Sequence, residues 1–420
     1  MDDDQYIIHD ISVSKGSLDI NDNQHNLIEK AGPRENIYFD PSKVRAGIVT
    51  CGGLCPGLND VIRALVMTLW YRYGTKHISG IMYGYRGFLS KFNHSVMELN
   101  PEIVSKIHSL GGTILGASRG YGDCVEEIVD SLEQMSINML FIIGGDGTQK
   151  GALEIAEEAK KRSLKISIVG IPKTIDNDLS FVDKSFGFET AVSRAVDAVS
   201  CAHVEAHDGV NGIGIVKVMG RESGFIAANT ALAINDVNYV LIPEVRFELE
   251  GENGLFANLE RRLKRLNHAV ILVAEGAGQE YMKDSKAIDE SGNAKLNDIG
   301  VFLKERIGEY FKMRKIDINL KYIDPSYMIR SAPANSNDSV YCTKLGAYAV
   351  HAAMAGKTGM IVSFINSHFV HVPIRLTVSG RKRVDPHQEL WRDVIEATGQ
   401  PLLIQERRTK PRSEKARNAK

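Results

Sequence analysis

The sequence predicts an α/β fold built on parallel sheet with helices on both faces. Two observations predict it: short apolar runs alternate with stretches of helical periodicity, and glycine- and acid-rich turns join one to the next. Length adds a third, because 420 residues correspond to two or three domains at roughly 100–200 residues each.

The pattern begins at Val44. An apolar run (Ala46, Ile48, Val49) meets the turn Cys51-Gly-Gly-Leu-Cys-Pro-Gly-Leu-Asn59, and Val61, Ile62, Leu65, Val66 and Leu69 follow with helical spacing. The same unit recurs at Met139–Ile143, with the turn Gly144-Gly-Asp-Gly-Thr148 and a helix expected over Gln149–Arg162. Ile166–Ile171 leads into Pro172–Asp178. Gly212–Val218 leads into Met219-Gly-Arg-Glu-Ser-Gly224 and a helix over Phe225–Ala233, and Ala269–Ala274 ends at Glu275-Gly-Ala-Gly278. Ligands in open α/β sheets bind at the carboxyl ends of the strands, so these five turns are the expected site. Residues 1–43 are polar, with Ile7, Ile8, Ile11 and Val13 showing no sustained period, and are expected to pack on the surface as an extension.

Composition narrows the function. The formal net charge is −1, with 43% hydrophobic and 25% charged residues, which argues against a general nucleic-acid binder. The cysteines (Cys51, Cys55, Cys124, Cys201, Cys342) are odd in number and widely spaced, the pattern of a reducing compartment rather than a disulfide framework. Cys51 and Cys55 lack the second Cys or His pair of a zinc site. No apolar run approaches the ~20 residues of a membrane span, and the acidic N-terminus is unlike a signal peptide. The expectation is a soluble, cytoplasmic protein without membrane contact. The stretch Arg407–Lys420, with seven basic residues and one glutamate, reads as a solvated tail or as a contact arm.

The turns carry the groups that phosphoryl transfer needs. Glycines let backbone N–H groups approach phosphate oxygens at a helix start. Gly52, Gly53 and Gly57 suit this, although their turn is neither G-x-x-x-x-G-K-[ST] nor G-x-G-x-x-G. In Gly144–Thr148 a single carboxylate, Asp146, lies among glycines and could hold Mg²⁺ or simply cap a helix. Pro172–Asp178 supplies Lys173, Thr174, Asp176 and Asp178: charge for a transferring phosphoryl group and a carboxylate to orient an acceptor hydroxyl. A free Asp, with a pKa of ~3.9, would be ionised at neutral pH. Arg119 and Arg221 each follow a glycine-containing turn, and Arg grips phosphate with two parallel hydrogen bonds.

Taken in order, these motifs resemble the 6-phosphofructokinase family. The resemblance runs from about Lys43 to about Leu390. It rests on Thr50–Asn59, Gly111–Gly116 with Arg119, Gly144–Thr148, Pro172–Asp178, Met219–Arg221 and Tyr322-Ile-Asp-Pro-Ser-Tyr-Met-Ile-Arg330. Gly-Gly-Asp-Gly runs alone also resemble those of diacylglycerol and NAD kinases. The family resemblance implies two similar Rossmann-like, three-layer α/β domains facing a cleft, with N- and C-terminal extensions. The expected division is 1–43 as an N-terminal extension and 44–187 plus 330–380 as a nucleotide domain. Residues 188–329 plus about 381–400 would form a sugar-phosphate domain, and 401–420 a basic tail. The resemblance also implies ATP and fructose 6-phosphate as substrates, Mg²⁺ as cofactor, and a homo-oligomer, with a tetramer favoured. By motif, Gly52, Arg119, Gly120, Gly145, Gly147 and Thr148 would line the nucleotide phosphates, and Asp146 with Asp178 the metal. Asp176 would be the base toward the sugar 1-hydroxyl, with Lys173, Thr174 and Arg221 on the transferring phosphoryl. Met219, Gly220, Glu275, Lys321, Tyr327 and Arg330 would hold the sugar phosphate.

The donor turns on two positions. Pyrophosphate-using members typically have Asp where this chain has Gly147 and Lys where it has Lys173, whereas short bacterial ATP enzymes have Gly at both. Gly147 with Lys173 resembles a longer ATP-dependent subgroup and implies ATP. The alternatives are a pyrophosphate-dependent enzyme and a non-catalytic regulatory subunit. This chain departs from the short enzymes at Gly212, where they place an Arg that reaches a neighbouring subunit, and at Lys321, where they have another Arg.

Overall fold

Parallel strands that are buried on both faces are near-continuous apolar runs, and the chain has two groups of them. A computed structural model describes residues 5–9, 27–282 and 295–403. The stretch Arg407–Lys420 lies outside these residues, as do Ile11 and Val13. The described strands are β1 (Tyr6–Ile8), β2 (Leu27–Lys30), β3 (Arg45–Thr50), β4 (His77–Ile81), β5 (Val96–Glu98), β6 (Met139–Gly144) and β7 (Ser167–Pro172). They continue with β8 (Gly212–Val218), β9 (Tyr239–Leu241), β10 (His268–Ala274), β11 (Asn319–Ile323), β12 (Met360–Ile365) and β13 (His368–Pro373).

They form a nine-stranded sheet, ordered β1-β2-β13-β12-β7-β6-β3-β4-β5, and a four-stranded sheet, β11-β8-β10-β9. The run from β12 to β4 is parallel, as is the whole smaller sheet. Every residue of β6, β7 and β8 is buried. On one face of the large sheet, the helices Leu58–Met67 and Ser336–Met354 supply Ile62, Leu65, Leu345 and Ala349 to a single core. On the other face, Val125–Gln134 and Asp146–Lys161 supply Ile128, Leu132 and Ile155. The small sheet is likewise sandwiched, by Phe188–Asp208, Phe225–Ile234 and Glu389–Thr398 on one face and by Leu255–Leu266 and Ile299–Met313 on the other. The architecture is therefore two three-layer α/β halves of unequal sheet size. No helix of the described residues is long and apolar enough to cross a membrane.

The chain passes between the sheets after β7, after β11 and after β13. The first two passages are locked together. Asp338, fully buried in the first turn of Ser336–Met354, accepts from the Thr190 backbone N–H at 2.8 Å and from its hydroxyl at 2.6 Å. Thr190 lies in the first turn of Phe188–Asp208, so one carboxylate fixes the helix leaving the large sheet against the helix re-entering it.

The N-terminal stretch does more than pack on the surface. β2 pairs with β13, and β1 with β2, so both extend the large sheet. Strands added at a sheet edge are held by backbone hydrogen bonds and need little apolar periodicity, which explains the weak pattern. Glu29 anchors them, accepting from Arg34 at 2.9 Å, Lys357 at 2.7 Å and the His371 ring at 3.0 Å. Burial opposes its ionisation, but hydrogen bonds from His371 and Lys357 outweigh this and hold the carboxyl at about 2. Its stabilisation is therefore present above the unfolded value of ~4.3 and lost as pH falls toward 2. Glu29→Gln should lower the melting temperature at pH 7, with the gap to the parent protein narrowing below about pH 4; a gap independent of pH would contradict the ion-pair anchor.

Candidate active site

The carboxyl ends of β3, β6 and β7 sit side by side, where the strand order reverses direction. The ends of β8 and β10 face them across a cleft, and the cavity between has a volume of about 600 Å³. From the large sheet it is lined by Gly52, Arg119, Gly120, Gly145, Asp146, Gly147, Thr148, Lys173, Thr174, Asp176 and Asp178. Arg221, Glu275 and Arg330 line it from the other side. Fourteen of the residues singled out in the sequence thus converge on one cavity.

The first turn leaves β3 with Gly52 at φ +85°, a conformation that favours glycine. Its N–H donates to the Ser118 carbonyl at 2.8 Å, which brings the loop carrying Arg119 alongside. Lys173 is buried beneath this turn and its Nζ donates to the Gly53 carbonyl at 2.6 Å. Burial lowers its pKa. Gly145 caps Asp146–Lys161, whose first turn leaves N–H groups pointing into the cavity end. The Asp146 carboxylate lies 3.0 Å from Lys150 Nζ.

The turn after β7 is held rigidly. Asn177 accepts from the Ser185 N–H at 2.9 Å and donates to the Asp183 carbonyl at 3.1 Å. The Thr174 hydroxyl donates to Asp178 Oδ1 at 2.6 Å, and Ser185 Oγ donates to the Thr174 carbonyl at 2.5 Å. Asp176 is thereby driven to the bottom of the cleft, where the Arg221 backbone N–H donates to its carboxylate from the opposite half. Its Oδ1 is buried and makes no hydrogen bond to any described residue. Burial first, then the charges of Asp178 and Glu275, push Asp176 up to about 7, against the pull of Arg330. Burial also raises Glu275. The sequence leads one to expect an ordinary, fully ionised Asp; burial instead brings this carboxyl up toward neutrality.

Four of the singled-out residues do not line the cavity. The Met219 side chain is 1% exposed in the core. Gly220, at φ +131°, packs so closely that a Cβ would lie 2.4 Å from the Ser223 carbonyl oxygen. Lys321 on β11 is exposed, and Tyr327 is 83% exposed. Sequence reasoning also missed residues. Tyr85 and Arg381 line the cavity, and Lys217 sits behind it. Lys217 is buried on β8 and pairs with Asp298 at 2.7 Å and Asp324 at 2.9 Å. Asp324 in turn accepts from the Ser326 N–H at 3.0 Å, at the start of the short helix that ends in Arg330. The charged residue Lys217 within an apolar strand was the available signal.

The comparisons with known proteins agree with this geometry. Residues 45–353 match the family described as Phosphofructokinase, and the chain belongs to that family. It is 59% identical over 385 residues to the ATP-dependent 6-phosphofructokinase of Borreliella burgdorferi, covering 90% of this chain and 86% of that one. It is 51% identical over 377 residues to the chloroplastic ATP-dependent 6-phosphofructokinase 5 of Arabidopsis thaliana, covering 90% of this chain and 70% of that one. Among solved structures, a pyrophosphate-dependent phosphofructokinase from Marinobacter aquaeolei superposes with a TM-score of 0.70 at 19% identity, over 86% of this chain and 92% of that one. At that identity the likeness concerns the fold.

The position of Asp176 has a consequence for stability. Its folded-state value of about 7 lies above the unfolded value of ~3.9, so its charge costs nothing below pH 4 and costs most above pH 7. Asp176→Asn should raise the melting temperature of the ligand-free protein at pH 8, with the gain fading toward pH 4. A loss of stability at pH 8 would contradict the assigned burial.

Proposed function

We propose that this chain transfers the γ-phosphoryl group of ATP to the 1-hydroxyl of fructose 6-phosphate, giving fructose 1,6-bisphosphate and ADP. One observation carries the reading: a buried carboxylate, Asp176, with an unpartnered oxygen, in a cavity lined by glycine turns from one half and by Arg221 and Glu275 from the other. The large-sheet half, 44–187 with 330–380, takes the nucleotide, with Arg330 at its boundary on the helix that packs against the small sheet. Residues 188–329 with about 381–400 take the sugar phosphate. β12 and β13 join the first sheet and Trp391 packs on the second, in support of this division.

Arg119, Gly120, Gly145, Gly147 and Thr148 receive the nucleotide phosphates through backbone N–H groups and the guanidinium, and Gly52, whose own N–H is held by Ser118, lets them approach the turn by lacking a side chain. Lys173 backs the first turn with positive charge. Asp146 and Asp178 would hold a Mg²⁺ ion: both carboxylates face the cavity, and Thr174 fixes one oxygen of Asp178. No cluster of three or more His, Cys, Asp or Glu placed for a metal occurs among the described residues. Mg²⁺ needs only one or two carboxylates when phosphates and water complete its shell. Bound there, it would supply positive charge against the phosphates.

Asp176 orients the sugar hydroxyl and accepts its proton as the O1–phosphorus bond forms. The bond from γ-phosphorus to the bridging oxygen breaks, and its electron pair leaves with ADP. Arg221 stabilises the group in flight, while Arg330 and Glu275 grip the sugar phosphate with the backbone of Met219 and Gly220. Lys321 and Tyr327, both exposed, would complete the hold on the sugar phosphate. The proposed assembly is a homotetramer and the proposed location the cytoplasm, both from the family resemblance.

ATP is the favoured donor because Gly147 leaves open space: no heavy atom lies within 4 Å of where a Cβ would be. An Asp there would add a carboxylate against the α-phosphate. Initial rates with ATP and with pyrophosphate test the donor, and Gly147→Asp should lower kcat/KM for ATP by at least about tenfold through charge repulsion. Faster turnover of the parent protein with pyrophosphate would overturn the choice of ATP. Asp176→Ala should lower kcat by about 10³-fold, within the range for a positioned general base, with fructose 6-phosphate binding retained; unchanged kcat would overturn the assignment.

A further inference from the structure

The third passage between the two halves, after β13, carries Gly380-Arg-Lys-Arg-Val384. Its backbone is tied to both sides of the cleft. Arg381 forms an isolated antiparallel bridge with Leu179, and the Lys382 N–H donates to the Asp178 carbonyl at 2.8 Å, both in the large-sheet half. Lys382 Nζ, half-buried, donates to the Val182 carbonyl at 2.6 Å. Two residues on, the Val384 N–H donates at 2.8 Å to Glu244 Oε1, which also accepts from the Gly224 N–H at 2.9 Å. Arg383 donates to Glu222 at 2.8 Å. The strap therefore holds the turn containing Asp178 and the turn containing Arg221 at a fixed spacing.

Between those anchors, the Arg381 side chain enters the cavity. Nη2 lies 3.9 Å from Asp146, while Nη1 lies 3.7 Å from Asp178 and 3.4 Å from Glu222. These are ion pairs longer than the ~2.7–2.9 Å of a charge-assisted hydrogen bond, so the fork is drawn to three carboxylates without being committed to any. Two of the three are the carboxylates assigned above to the metal.

We propose that Arg381 is a further catalytic residue for the phosphoryl transfer, an inference that rests on the activity proposed above. When metal and nucleotide engage Asp146 and Asp178, the guanidinium turns to the non-bridging oxygens of the group in flight, steadied by Glu222 from the opposite half. It exchanges no proton: the hydroxyl proton still goes to Asp176, and the electron pair of the broken bond still leaves with ADP. Its contribution is positive charge delivered where negative charge spreads in the transition state. Because the strap bridges both halves, that charge reaches its position only when the spacing between the two turns is correct.

The test uses the full chain with Arg381→Met and Arg381→Lys, with Asp176→Asn as reference. Arg381→Met should lower kcat by about 10²–10³-fold, the range for losing one preorganised transition-state donor, with KM for both substrates changed less than about threefold. Arg381→Lys should restore part of the loss, because Lys keeps the charge without the fork. By calorimetry, Arg381→Met should weaken binding of Mg-ADP with aluminium fluoride and fructose 6-phosphate, a mimic of the group in flight, while Mg-ADP alone binds as before. A kcat within about threefold of the parent, or equal weakening of the mimic and of Mg-ADP alone, overturns the proposal by the same criterion. If Arg381→Met does not fold by circular dichroism, full kcat in Arg381→Lys overturns it. A parent protein that does not phosphorylate fructose 6-phosphate sinks the activity itself; an active parent with an unaffected Arg381→Met sinks only the arginine's role.

Discussion

Burying a carboxylate is costly unless charge or hydrogen bonds compensate, and this molecule is organised around one that is only partly compensated. Asp176 has one buried oxygen without a partner, two carboxylates nearby and a single backbone donor from the opposite half. A flexible loop would relax and let water reach the group. The Asn177 and Thr174 hydrogen bonds prevent this by fixing the turn on both sides of Asp176. The resulting pKa near neutrality suits a group that takes a proton as the new bond forms.

The same constraint explains why the site needs both halves. The large sheet supplies the turns of β3, β6 and β7, and the small sheet supplies the counter-charges Arg221 and Arg330. The Asp338–Thr190 contact and the strap after β13 hold the passages between them. Both use buried or half-buried polar groups that are costly to leave unpaired, so a change in the spacing of the halves would be penalised at each. Positive charge at the cleft can then be set close to the acids without collapsing onto them, as the long Arg381 ion pairs illustrate.

Much of this was legible in the sequence. Gly-rich turns following buried apolar runs marked β3, β6, β7, β8 and β10 because a parallel strand buried on both faces leaves a strong compositional trace. What escaped was held by weaker or more distant signals. β1 and β2 lie at a sheet edge and depend on backbone pairing and on Glu29, whose partners Lys357 and His371 are more than 300 positions away. Arg381 fell on an expected domain boundary, and only the third passage brings it to Asp146 and Asp178. The Met219 side chain serves the core and Gly220 the tight turn beside Arg221, which leaves their backbone as what they offer a ligand.

Asp176 is a buried carboxylate whose surroundings raise its pKa, not a solvated charge on a turn. Carbon-13 NMR of protein labelled at the Asp carboxyl carbons, titrated without ligands from pH 4 to 9, observes it directly. The account predicts one Asp resonance titrating near 7 that disappears in Asp176→Asn. A resonance lost in that variant but titrating near the ordinary ~3.9 would contradict it.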